Sequence, residues 1–122
     1  MEVLIATAIL AFCLCGLLAT YVNMFFLTSL LRDTTLATSA VQAKLEEVRN
    51  AGYANCTSYI FNLADYGIAD GKGVIEVNAV AGNPTLKKVR IIACFRSRGR
   101  VIGNDMNNCS SSPIEAVTYV AE

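Results

Sequence analysis

Histidine and tryptophan are absent from this 122-residue chain, and proline occurs only twice. Without histidine the chain lacks the commonest general base, proton shuttle and metal ligand, which removes most hydrolase and metalloenzyme readings. No catalytic residue, metal site or cofactor is expected. Charge is also scarce: 16% of residues are Asp, Glu, Lys or Arg, and the ten basic and ten acidic residues cancel. No global field therefore draws the chain toward nucleic acid or an anionic membrane, and any such contact needs a local patch.

What is present instead is apolar surface, 54% of residues, concentrated at the N-terminus. No charged residue lies between Glu2 and Arg32. As a helix at about 1.5 Å per residue this run reaches roughly 44 Å, longer than a hydrocarbon core of about 30 Å. The first twenty or so residues fill a membrane or a protein core, and Thr20 to Ser29 begin to emerge. Before Pro84 there is no proline, and before Gly52 the only glycine is Gly16. One helix is predicted from Val3 to about Ala51, with Gly16 as its weak point and Gly52 as its C-terminal stop.

Residues 1–29 of this helix are hydrophobic all round, whereas 30–52 are amphipathic. Ala37, Val41, Leu45 and Val48 recur at steps of four, four and three along one face, and Thr38, Gln42, Glu46 and Arg49 fill the other. Two environments follow: lipid or packed helices first, then a compact domain lying against one stripe.

Residues 53–122 read as a small β-rich head. Tyr53 to Gly71 reads as loop. Gly73 to Ala81 and Leu86 to Ser97 form a hairpin around a turn at Gly82-Asn83-Pro84. Arg98-Gly99-Arg100 turns into a short strand at Val101-Ile102, and Ile114 to Ala121 adds an edge strand. A head of about 70 residues is marginal alone, so the helix stripe must complete its core. The fold class is α+β, a long helix against a small antiparallel sheet.

The opening Glu2-Val3-Leu4-Ile5-Ala6-Thr7-Ala8-Ile9-Leu10-Ala11, with the helix end Leu45-Glu46-Glu47-Val48-Arg49-Asn50-Ala51-Gly52-Tyr53, resembles the type IV pilins and type II secretion pseudopilins. The likeness in letters covers about the first 50 residues, and the head matches only in style. It implies a subunit held in the inner membrane by its apolar helix until assembly machinery moves it into a helical homopolymer. The equivalent glutamate in that family offsets the terminal ammonium of a neighbouring subunit. The resemblance thus assigns assembly roles to Glu2 and to the Met1 terminus, since a carboxylate beside so long an apolar run needs a compensating cation. The bland alternative is an acid favoured by a helix N-terminus in an unrelated single-span protein.

The family places an aromatic residue and two or three others before that glutamate, whereas here Met1 alone precedes it. A trimmed start or an unusual N-terminus accounts for this, so processing and methylation are not carried over onto Met1. A basic leader removed upstream would reconcile the charge distribution with the positive-inside tendency.

Cys13 and Cys15 sit in the apolar helix as small packing residues. Cys56, Cys94 and Cys109 lie in a head that the resemblance makes extracytoplasmic, so one disulfide and one spare thiol are expected. Spacing does not fix the pairing. The family's habit of bracketing its C-terminal region favours Cys94 with Cys109, and Cys56 is the alternative partner.

Lys87, Lys88, Arg90, Arg96, Arg98 and Arg100 form a basic run without an acid between them. DNA contact on a filament exterior is weighed against an ordinary solvated hairpin face pairing with acids, and the solvated face is preferred. Tyr53, Tyr59, Tyr66 and Phe61 are expected in the core or in subunit contacts. Asn108-Cys109-Ser110 is a glycan sequon, and Ser110 to Ser112 offer further acceptors.

The preferred reading is a structural subunit of an extracellular pilus-like filament. The alternatives are a secretion pseudopilin or minor pilin with the same fold, and a non-polymerising single-span protein with a partner-binding head.

Overall fold

The computed structural model describes all 122 residues. It has the α+β architecture expected from the sequence: helix α1 (Glu2–Asn55), then β1 (Tyr59–Asn62), a 3-10 turn (Leu63–Tyr66), β2 (Gly71–Val80), β3 (Asn83–Ser97), β4 (Arg100–Ile102) and β5 (Glu115–Ala121). The chain falls into two compact units, Met1–Arg32 and Asp33–Glu122. The first is the apolar part of α1. The second joins the amphipathic part of α1 to the sheet, so residues 33–55 fold as part of the head.

No proline interrupts α1, and Gly16 lies within regular helix. The one break in helical dihedrals is Gly52, at φ 75° and ψ 178°. An L side chain is strained at that φ, which is why glycine stands there. The expected stop at Gly52 is therefore a kink, and one more turn carries α1 to Asn55.

β3 is the spine of a five-stranded antiparallel sheet. β2 pairs with it from Gly71 opposite Phe95 to Val80 opposite Asn83. On its other side β5 runs from Leu86 opposite Ala121 to Ile92 opposite Glu115, and β4 continues that side with Phe95 opposite Ile102. β1 lies outside β2, so β1 and β5 are both edges.

Two expectations need correction. Tyr53 to Gly71 is not loop throughout, because β1 and the 3-10 turn lie within it. Four residues are too short to display alternation, and β1 exists through its pairing with β2, Phe61 opposite Gly73. A Cβ on Gly73 would overlap the Phe61 ring, so the missing side chain is what lets that ring lie across β2. The hairpin turn is also shorter than expected. It comprises Ala81 and Gly82, the latter at φ 84°, and Asn83 and Pro84 already belong to β3. Proline is tolerated there because the register shifts between Ala79 and Val80, where the ladder needs no N–H.

The core forms where the amphipathic stripe meets one face of the sheet. Ala37, Ala40, Val41 and Val48 of α1 are buried with Ile75, Val89, Ile91, Ala93 and Phe95, and Leu45 packs at the margin. Ala37 and Ala40, both fully buried, keep the helix backbone close to the sheet. Ser97 is the one buried polar residue of the head; its hydroxyl donates to Asp33 Oδ2 at 2.5 Å. On the opposite face Ile92 and Cys94 are buried with Cys109, and Val74 packs against them.

Candidate assembly surface

Every residue from Met1 to Thr28 is exposed. Large apolar side chains point outward around the whole circumference, among them Leu4, Ile9, Phe12, Leu17 and Phe25, with Phe12 at 83% exposure. The helix is long and apolar enough to cross a membrane. Such a surface far exceeds the apolar patch of a soluble monomer and is stable only against lipid or protein.

Its hydroxyls are prepared for dry surroundings. Thr7 donates to the Leu4 carbonyl at 2.9 Å, Thr20 to that of Gly16 at 2.9 Å and Thr28 to that of Met24 at 2.8 Å. Bonds of this kind satisfy a hydroxyl without water. Glu2 is the only carboxylate of this unit and stands in the first turn, where the helix dipole favours it. Its side chain has no hydrogen-bond or ion-pair partner within the chain. The Met1 carbonyl accepts the first helical bond, from Ile5 N at 3.2 Å. Around Gly16 a Cβ would meet open space, so glycine is not required there by packing within the chain. Tyr21, Met24, Phe25, Thr28 and Ser29 line a shallow groove along one side of the helix.

The six basic residues are not gathered on one face. Lys88, Arg90 and Arg96 share the face away from α1 by strand alternation, whereas Lys87 projects from the core side. Arg98, at φ 49°, lies in the turn after β3, and Arg100 is exposed on β4. Carboxylates of the same chain meet part of the charge. Arg90 donates through Nε to Glu115 Oε1 at 2.5 Å, through Nη2 to Glu115 Oε2 at 3.0 Å, and through Nη1 to Glu76 at 3.4 Å. This fork holds the Glu115 carboxyl below its ordinary range and raises the guanidinium further. Arg96 lies 3.7 Å from Asp70.

A disulfide joins Cys94 and Cys109, tying the polar C-terminal loop to the central strand. Cys56 is buried with a free thiol that burial pushes up, while Cys13 and Cys15 are free and exposed. In the loop, Asn104 is the organiser: its Oδ1 accepts from the Ser110 and Ser111 amides, and its Nδ2 donates to Asn108 O and Ser110 Oγ. The sequon serine is therefore already a hydrogen-bond partner within the loop.

The aromatics between helix and sheet are fixed by lysines. Lys44 Nζ lies 5.6 Å from the ring centroids of both Tyr59 and Phe61, and it bonds Glu47 Oε2 at 2.6 Å. That hydrogen bond raises the ammonium's pKa and lowers the carboxylate's. In the sequence Lys44 is marked only as a helix-favouring residue three positions from Glu47, and Asn23 only as a lone amide in a charge-free run.

Compared with known proteins, the chain matches no protein-family model, no curated protein and no solved structure.

Proposed function

We propose that this chain is a structural subunit of an extracellular pilus-like filament, held in the inner membrane before assembly and polymerising through packing of residues 1–29. The observation that carries this reading is the N-terminal unit: apolar around its full circumference, self-satisfied at its threonines, and bearing a single unpartnered carboxylate at its tip. Lipid satisfies the apolar surface in the monomer, and neighbouring helices satisfy it in the polymer. The carboxylate has no ion-pair partner within the chain, and the terminal ammonium of a second copy has the right sign to supply one. The head has its own core and disulfide, which suits a domain facing water while the helix does not.

The test is to shear cells, pellet the extracellular fraction, and image it by cryo-electron microscopy with mass spectrometry of the same pellet. This chain as the repeating unit of a helical filament supports the proposal. Confinement to the membrane at low copy number replaces it with the pseudopilin or minor-pilin reading. Detergent-soluble monomers alone would leave the single-span, partner-binding reading.

A further inference from the structure

Among the polar side chains of the apolar unit, the threonines bond carbonyls of their own helix, and Ser29 also has a partner. Asn23 does not. Its amide has no hydrogen-bond partner within the chain and is exposed. Once other helices surround it, two N–H donors and one carbonyl on so short a side chain cannot reach past packed apolar residues to water, as the longer Tyr21 can.

Asn23 lies 21 residues beyond Glu2, about 32 Å along the helix, at the far boundary of a hydrocarbon layer about 30 Å thick. In the membrane-bound monomer the amide therefore stands at the headgroup level and is hydrated. In a bundle of such helices it stands among apolar neighbours, where an unbonded amide is costly.

We propose that Asn23 donates a hydrogen bond to a threonine hydroxyl on the apolar helix of a second copy of this chain, and so restricts the axial register between neighbouring helices. This inference rests on the filament reading. A second copy is the occupant because the same helix carries the complementary acceptors. The Thr7, Thr20 and Thr28 hydroxyls have spent their only proton on their own helix and keep lone pairs free to accept. An asparagine in an apolar helix interface restricts register because every axial offset that brings it opposite none of these three hydroxyls leaves it unbonded. Asn23 is on this view a positioning residue, and helix packing supplies the bulk of the affinity.

The experiment compares wild-type, Asn23→Leu and Asn23→Thr filaments by the concentration of subunit left unassembled, together with helical rise and twist from cryo-electron microscopy. Leucine removes the polar group, while threonine keeps polarity but closes on its own helix. Both variants are expected to assemble with about threefold more free subunit than wild type, the effect of one interhelical hydrogen bond per copy, and with altered or heterogeneous rise. The wild-type map is expected to show Asn23 within hydrogen-bond distance of a neighbour's threonine. Free subunit and rise unchanged in both variants would overturn the proposal while leaving the filament intact. Wild-type free subunit and rise with threonine but not with leucine would also overturn it, since simple polarity would then suffice. No filament from wild type removes the filament reading and this inference together.

Discussion

Lys87 Nζ donates to the Tyr53 carbonyl at 2.8 Å and lies 4.2 Å from the centroid of the same residue's ring. One ammonium thus clamps the chain just after the Gly52 kink onto the start of the central strand. The Tyr53 hydroxyl completes the clamp by donating to the Pro84 carbonyl at 2.5 Å. A residue that reads in sequence as one of six surface cations is, in the fold, a fastener for the end of the helix.

Replacing that lysine should therefore affect stability more than charge. Lys87→Met removes a charge-assisted hydrogen bond and a cation–π contact and is expected to cost about 2 kcal/mol. Lys88→Met, on the exposed face one residue away, should change stability by less than about 0.5 kcal/mol. Denaturant unfolding of the detergent-solubilised protein measures both, and equal effects would refute the clamp.

Acid should weaken the head through Glu115. Arg90 holds this carboxyl below its ordinary range in the folded state, so the pair's contribution is fully present above an unfolded carboxylate value of about 4.3. It is lost as pH falls through the lower folded value. Glu47, lowered by Lys44, acts with the same sign. Unfolding free energy followed from pH 7 to pH 3 should fall less steeply in Glu115→Gln than in wild type; superimposable acid limbs would show that the Arg90 fork contributes nothing.

Reduction should loosen the C-terminal loop. Opening the Cys94–Cys109 link, which closes a separation of 15 residues, is expected to cost about 3 kcal/mol in the chain-entropy description. Melting with and without reductant tests this, and Cys94→Ser with Cys109→Ser should melt as the reduced protein does. Cys56, 6% exposed, should resist thiol reagents until the head unfolds.

Gly73→Ala should be the most damaging single methyl in the sheet. Its Cβ would meet the Phe61 ring, which must leave the core face it covers. A loss of about 1–3 kcal/mol is expected. Pairing with Phe61→Ala should then be less than additive, because the clash disappears with the ring.

Glu2→Leu should slow or abolish filament formation without altering the melting of the head, since Glu2 belongs to the separate N-terminal unit. Glu2→Gln should behave similarly if charge rather than hydrogen bonding is the requirement. Filament yield after shearing is the readout, and wild-type yield from both variants would remove Glu2 from assembly.

Much of the fold was legible in the residues because it follows from local periodicity. The charge-free run to Arg32, the stripe Ala37-Val41-Leu45-Val48 and the alternation in β2 and β3 each announce the surroundings their side chains need. β1 was not legible, since four residues carry no period and its reason for being extended is the edge of β2. The Ala81-Gly82 turn was misplaced because Pro84 resembles a turn residue, whereas a register shift lets it open a strand. In the basic run, strand alternation already separates Lys88, Arg90 and Arg96 from Lys87, but that the Lys87 ammonium reaches the Tyr53 carbonyl depends on a contact across 34 residues that no local period announces.

By itself, then, the sequence determined that this protein has an apolar helix demanding a non-aqueous partner, an amphipathic continuation and a small sheet. Those are consequences of where apolar residues recur along the chain, which needs no long-range information. Only the tertiary structure decided which cations are free and which are fasteners, and which glycine receives an aromatic ring. It likewise decided which pair of three head cysteines meets. Each of these depends on which residues far apart in sequence are brought within a few ångströms by strand register and helix packing.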